Sequence, residues 1–396
     1  MPRLQPSSDA TLHCQHFGRC GGCSLLDVPI AEQLHSKQAR ARELLAPFLG
    51  ELEPVIAPGP RVPRHDRTSI LYPAQFFRGE MQFGIYRRGS HETEPITDCR
   101  IQHKALTQFA VRAGAALRAV RVPVYREDTG NGIVRALRAR VVAGSNELVV
   151  GVITTRAEFS ERKAVGKALH EAGSGLRDEQ GRPLQLVGVV MNVNSQPGNV
   201  LLGAETHALH GQTFQTDRVA GLTFQVSFNS FYQLNRHAEA ILFKPALAML
   251  GSVEGLRIVD GYGGVGTFTL RLLRAGALHV TLIESAPSSC ADARVNVTAN
   301  GFDARAEVRE QPFGSAPLPA CDLLVADPPR AGLMELGAAA ILAAAPPRVL
   351  LVSCSLESLA RDLGALSPGY RVTASRLCDL FPHTEHIEAL TLLERR

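Results

Sequence analysis

The stretch 256–274, LRIVDGYGGVGTFTLRLLR, decides the fold. A short apolar run closes on Asp260, Gly261-x-Gly263-x-x-Gly266 follows, and leucines then recur at helical spacing. That order reads as strand, glycine turn and helix. Glycines at such a turn let the backbone bend sharply and approach a ligand closely. A turn with no ligand gives the same short motif, and a nicotinamide dinucleotide suits it equally, so its neighbours must decide.

Downstream, HVTLIES ends a second strand at Glu284, where a carboxylate can accept hydrogen bonds from both hydroxyls of an adenine nucleoside's ribose. CDLLVADPP, RVLLVSCS, YRVTASRL and EALTLLE supply further strands, with helices between the earlier ones. Alternation of this kind implies a parallel sheet covered on both faces. The last two runs have no helix between them, so the final strand should run antiparallel. The expected fold is α/β, a Rossmann-like, seven-stranded, mostly parallel sheet. Upstream, 29–49 reads as a helix, 70–96 as short strands with a hairpin, and 100–120 as an Ala-rich helix. The middle is β-rich, with Gly144-Ser145-Asn146 as a hairpin turn. Three parts are expected: 1–100, 101–230 and 231–396.

The chemistry lies at the strand ends. Asp327-Pro-Pro-Arg330 holds an extended, rigid backbone. Arg330 stands where amino-group methyltransferases carry a stacking aromatic residue, and no cysteine stands where cytosine-C5 DNA enzymes place theirs. Cys354 follows four apolar residues and precedes a helix, a position at the carboxyl edge of the sheet. The nearby helix amino terminus should lower its pKa. Cys290, Cys321 and Cys378 read as core fillers. In 379–388, alternation should put His386 and Glu388 on one face and Ile387 on the other. A carboxylate between Ile387 and Ala389-Leu390 is poorly explained as a loop charge. A thiolate and a base are what methylation at C5 of uracil needs. The thiolate adds to C6 to make C5 nucleophilic, and the base later removes the C5 proton.

With those residues in hand, the chain resembles the bacterial 5-methyluridine RNA methyltransferases. FNSFYQLN (228–235), DGYGGVGTF (260–268), ADPPRAGL (326–333), LLVSCS (350–355) and FPHTEHIE (381–388) occur in that family's order. The resemblance implies that Gln233, Tyr262, Gly263, Glu284 and Asp327 bind S-adenosyl-L-methionine, that Cys354 is the nucleophile, and that Glu388 is the base. Cys14-x5-Cys20-x2-Cys23 with Cys99 is similar to the 4Fe–4S site of the rRNA branch, as is the phrase CGGCSLLDVPIAEQLHSKQ. On spacing alone a four-cysteine zinc site is equally open. Only 13 residues precede Cys14, so the form expected lacks an amino-terminal β-barrel and acts on 23S rRNA. A tRNA uridine-C5 methyltransferase is the alternative, and a non-catalytic iron–sulfur RNA-binding protein is a third reading.

Composition fits this picture without deciding it. The net charge is +4, with 45% hydrophobic and 20% charged residues and no Trp. Base stacking would fall to Phe, Tyr, His or Arg. Arg78, Arg87, Arg88, Arg135, Arg138 and Arg140, interleaved with Phe76, Phe77, Phe83 and Tyr86, are candidate RNA contacts. No apolar run spans a bilayer and the start lacks a secretory core, so a cytoplasmic monomer with no membrane partner is expected. In a reducing compartment the eight cysteines serve as ligands, nucleophiles or core residues rather than disulfides.

Overall fold

The computed structural model describes residues 11–49, 52–59, 62–77, 79–198 and 200–396. After helix α1 (Ile30–Leu45), β1 (Ser69–Phe77) turns back into β2 (Glu80–Tyr86) as the expected hairpin, with Phe77 opposite Glu80. β3 (Thr93–Pro95) and α2 (Lys104–Val120) follow. β4 (Val134–Val142) and β5 (Glu147–Thr154) form the second expected hairpin, through Asn146 at φ +58°. α3 (Arg162–Gly173) then crosses over to β6 (Gln185–Val193), parallel to β5, and β7 (Glu205–Gly211) closes the edge. Among the described residues these strands make one sheet in the order β3-β2-β1-β4-β5-β6-β7. A break at residue 100 therefore does not separate sheets: strands from both sides of it share one.

A hairpin of β8 (Phe214–Val219) and β9 (Leu222–Ser227) bridges to the second half. Helix α4 (Lys244–Leu250) leads into β10 (Arg257–Gly261), α5 (Thr267–Arg274), β11 (His279–Glu284), α6 (Pro287–Ala299) and β12 (Ala306–Glu310). β13 (Leu323–Ala326), α7 (Met334–Ala344), β14 (Arg348–Ser353), α8 (Leu356–Leu366), β15 (Tyr370–Cys378) and β16 (Glu388–Arg395) complete the chain. The strand order is β12-β11-β10-β13-β14-β16-β15. β16 is antiparallel to both neighbours, as expected, while the β10–β14 pairs are parallel. This is the class I methyltransferase arrangement. Order reverses between β10 and β13, so their carboxyl ends open the crevice where ligands bind in such sheets.

Helix α1 belongs to this second half. Its Ala41 and Leu45 are fully buried with Val349, Leu351, Leu359 and Leu363. A residue-100 boundary thus cuts through both cores rather than between them: α1 packs on the carboxy-terminal sheet, and β1–β3 share the other core with the strands that follow. Among the described residues no helix is long and apolar enough to cross a membrane.

Candidate active site

Asp260 is the penultimate residue of β10, its side chain buried. Its Oδ2 accepts from the Thr269 amide at 2.9 Å and hydroxyl at 2.6 Å, which fixes the first turn of α5, while Oδ1 is buried with no partner. The glycines after it serve packing as well as bending. A Cβ on Gly261 would lie 2.5 Å from the Phe313 ring, and one on Gly263 2.5 Å from Leu282 Cγ. Tyr262 between them takes φ +58°, a conformation that strains a non-glycine residue. Its ring lies 4.9 Å from that of Phe313, and its hydroxyl donates to the Leu333 carbonyl at 3.4 Å.

Glu284, at the end of β11, ties this turn down. Its Oε2 accepts from Gly264 N at 3.0 Å, and Oε1 from Ser285 N at 2.8 Å and Ala286 N at 2.7 Å. Oε1 also accepts from the Ser285 hydroxyl at 3.4 Å, whereas Oε2 accepts only the Gly264 bond, so its second lone pair is left for a ligand hydroxyl.

Asp327 follows β13, its amide donating to the Gly261 carbonyl at 3.3 Å. Cys354 follows β14 and Glu388 opens β16. Their neighbours Ser353 and Ala389 are cross-strand partners, so Cys354 and Glu388 stand one residue beyond the same pair. Glu388 is only 3% exposed and its Oε1 has no hydrogen-bond partner. Burial, then the charge of Asp327, holds Glu388 well above the usual carboxylate range. Burial and Asp260 push Asp327 up to about 7. Burial, against two bonds from Thr269, pushes Asp260 up to about 7 as well, with Glu284 adding to the rise.

The lowered thiol pKa expected of Cys354 is not found. Burial first, then Glu388 and Asp327, push it up to about 11, with Arg330 opposing them. The helix dipole is outweighed, and Ser355 rather than the thiol caps α8, its hydroxyl accepting from Ser358 N. The pocket around Cys354 is lined by Arg40, Arg330, Glu357, His386 and Ile387 among others, with Arg40 and Glu357 ion-paired. His386 and Ile387 both line it, so the expected alternation fails there: β16 begins only at Glu388.

Other expected residues lie apart from this site. Gln233 lines a separate cavity with Thr68, Asp217, Tyr232, Glu239 and Arg271, whose walls include none of Tyr262, Gly263, Glu284 and Asp327. Cys14, Cys20, Cys23 and Cys99 line one largely apolar pocket beneath β2 and β3. Burial raises the Cys20 thiol to about 11 and the Cys23 thiol to about 12, and the other thiols of the set add to both rises. Among the described residues no group of three or more His, Cys, Asp or Glu is arranged so that it could hold a metal ion as it stands.

Three of the arginines expected to meet RNA do something else. Arg135 (5% exposed) donates to the Asn194 and Gly198 carbonyls, and Arg140 (4%) to Gln215 and three carbonyls of 226–230. Arg138 lies over the Phe228 ring at 5.4 Å. They join the first sheet to its neighbouring loops, because a buried guanidinium needs several acceptors. Arg87 pairs with Glu92 and Glu94, Arg88 donates to the Cys23 carbonyl, and Arg78 lies outside the described residues. Phe83 is core, whereas Phe76 is 63% exposed. Asp260 and Arg40 were not singled out from the sequence. The first had a signal in its place directly before the glycine turn; the second had none.

Comparison with known proteins agrees with this geometry. Residues 319–396, which carry Asp327, Cys354 and Glu388, match the family model described as tRNA (Uracil-5-)-methyltransferase. An uncharacterized RNA methyltransferase of Halalkalibacterium halodurans is 30% identical over 393 residues, covering 96% of this chain and 82% of that protein. One from Lactiplantibacillus plantarum is 31% identical over 391 residues, covering 96% and 82%. The crystal structure of Pyrococcus abyssi tRNA (uracil-54, C5)-methyltransferase in complex with S-adenosyl-L-homocysteine shares the fold, at a TM-score of 0.73 and 24% identity over 95% of this chain and 86% of that one. A match over nearly the whole chain, together with a family model on the segment holding the thiol and its carboxylates, places the protein in the RNA (uracil-5-)-methyltransferase family.

Proposed function

We propose that the protein transfers a methyl group from S-adenosyl-L-methionine to C5 of a uridine in 23S rRNA through a covalent adduct on Cys354. The observation that carries this reading is the meeting of Cys354, Asp327 and Glu388 at adjoining strand ends. The same end of the sheet carries Asp260 with a buried, unpartnered oxygen and Glu284 on the glycine turn. A ligand carrying sulfonium and ammonium charge would offset the mutual repulsion of these carboxylates and favour their ionised forms. Asp260, Tyr262, Gly263, Glu284 and Asp327 are the residues proposed to hold it, with Gln233 added on the family resemblance alone.

In the reaction Cys354 Sγ, as thiolate, bonds to C6 and the C5=C6 electrons move toward O4. C5 then takes the methyl of the bound donor, whose carbon–sulfur bond breaks to leave a neutral thioether. Glu388 accepts the C5 proton, the C6–Sγ bond breaks, and the C5=C6 double bond and the thiolate return. A buried carboxylate with a raised pKa is the stronger base once ionised.

Cys14, Cys20, Cys23 and Cys99 are proposed to hold a 4Fe–4S cluster. The set of four soft donors lining one apolar pocket has the chemistry such a group takes, and by drawing in around it they would tie the segment carrying Cys14, Cys20 and Cys23 to Cys99 after β3. The family model's name and the P. abyssi enzyme support a second reading, with tRNA as substrate. Unmodified 23S rRNA and unmodified tRNA offered with labelled donor separate the two. Label is expected in the rRNA, at one or a few uridines; label in tRNA alone would overturn the rRNA assignment.

A further inference from the structure

The link between β15 and β16 carries His386 to the pocket and delivers Glu388, yet much of its hold comes from far along the chain. Lys37 on α1 donates to Asp379 Oδ1 at 2.7 Å and to the Phe381 carbonyl at 3.1 Å, in an ion pair whose side chains are 2% and 1% exposed. His383 takes φ +66°, a backbone conformation needing external support. Its amide donates to Gln33 Oε1 at 2.8 Å, and its carbonyl accepts from the Ser24 and Leu25 amides at 3.0 Å each. Gln33 Nε2 donates to the Leu25 and Val28 carbonyls, both at 2.7 Å, and stands 3.4 Å from His383 Nδ1. The other ring nitrogen lies 2.7 Å from the Pro63 carbonyl. Burial lowers the His383 pKa, favouring the neutral ring in which Nδ1 accepts and Nε2 donates. Ser24 Oγ also accepts from the Glu385 amide at 3.2 Å.

Gln33 thus joins the segment after Cys23 to the loop before the base, with both amide hydrogens and the amide oxygen engaged in doing so. We infer that Gln33 is a positioning residue for Glu388, assisted by Lys37, so that the amino-terminal segment governs proton abstraction rather than methyl transfer. This rests on the covalent mechanism proposed above. Cys354 is set by β14 and α8, and the glycine turn by β10, α5 and β11, none of which uses the Gln33 bonds. Loosening 379–387 should therefore spare adduct formation and methyl transfer while slowing release.

The test uses the full chain with Gln33→Leu, close in size but unable to make these bonds, and separately the pair Lys37→Met with Asp379→Leu, which leaves no buried charge. Each is mixed with substrate RNA and labelled donor in a single turnover and sampled on denaturing gels. Methyl transfer is expected near the wild-type rate. The labelled protein–RNA band should decay more slowly, by about tenfold to a hundredfold, the scale of an ångström-level misplacement. Hydrogen exchange at amides 380–386 should speed up while that of β10–β14 stays unchanged. Transfer and release falling in the same proportion, or a band that decays at the wild-type rate in both variants, would overturn the proposal. Should Gln33→Leu fail to fold, the charge-free pair decides alone. Absence of a labelled band from Glu388→Gln as well has a separate meaning: it would overturn the covalent mechanism, and this proposal with it.

Discussion

Cys354 carries a burden that its sequence position does not reveal. A cysteine between a strand and a helix invites the expectation of a stabilised thiolate, but Glu388 and Asp327 stand close enough to resist a third negative charge. The positive charge of the methyl donor would relieve all three groups together. In the protein alone, alkylation of Cys354 by iodoacetamide should be slow at pH 7 and accelerate toward the raised value of about 11. S-adenosyl-L-methionine should speed it at pH 7, because a cation lowers a neighbouring thiol's pKa, and S-adenosyl-L-homocysteine, without the sulfonium, should do so less. Peptide mass spectrometry reads this out, and full reactivity at pH 7 without donor would contradict it. Cys354 and Glu388, the proposed nucleophile and base, were legible as residues standing where polar groups are poorly explained. Their mutual repulsion was not, since it depends on strand ends that meet only in the fold.

At the scale of elements, the parallel strands from 257 to 353 other than the edge strand were legible because near-continuous apolar runs stopped at Asp260, Glu284, Asp327 and Ser353. The edge strand β12 was not: AEVRE has charges at three of five positions and no such run. Helix α3 was missed for a related reason, since RKAVGKALHEAG carries few large apolar residues amid β-rich neighbours. The arginines of β4 were read as RNA contacts, since nothing in the alternation of VRALRARVV tells which strand face a second element covers. Glu284 shows what connecting elements adds to a residue. It joins β11 to the glycine turn through the Gly264 amide and is itself held by the Ser285 and Ala286 amides, so Glu284→Ala should remove a ligand acceptor and release the turn at once. Affinity for S-adenosyl-L-methionine should fall by at least the roughly 1.5–3 kcal/mol of one charged hydrogen bond. Unchanged affinity by calorimetry would place the nucleoside elsewhere.

For the whole molecule, the three-part division expected from the sequence gives way to two sheets that share the amino-terminal segment. α1 lies in the core beside α7 and α8, and the cysteine segment lies between the first sheet and the loop before Glu388. Contacts spanning 350 residues, such as Gln33 with His383, leave no local pattern to read. If the four thiols carry a cluster, protein purified without oxygen should be brown and hold about four irons and four sulfides per chain. One zinc per chain without sulfide would contradict the cluster.

The proposed covalent mechanism separates two roles, assigned to Cys354 and Glu388, that a loss of activity alone would blur. Cys354→Ala removes the atom that opens the reaction. Glu388→Gln keeps the shape of the base but cannot take the C5 proton. With methyl-labelled donor and substrate RNA on a denaturing gel, Glu388→Gln should accumulate a slow-migrating, labelled protein–RNA complex. Cys354→Ala should show no label on protein or RNA. Turnover by Glu388→Gln at the wild-type rate, or methylated RNA made by Cys354→Ala, would contradict the account.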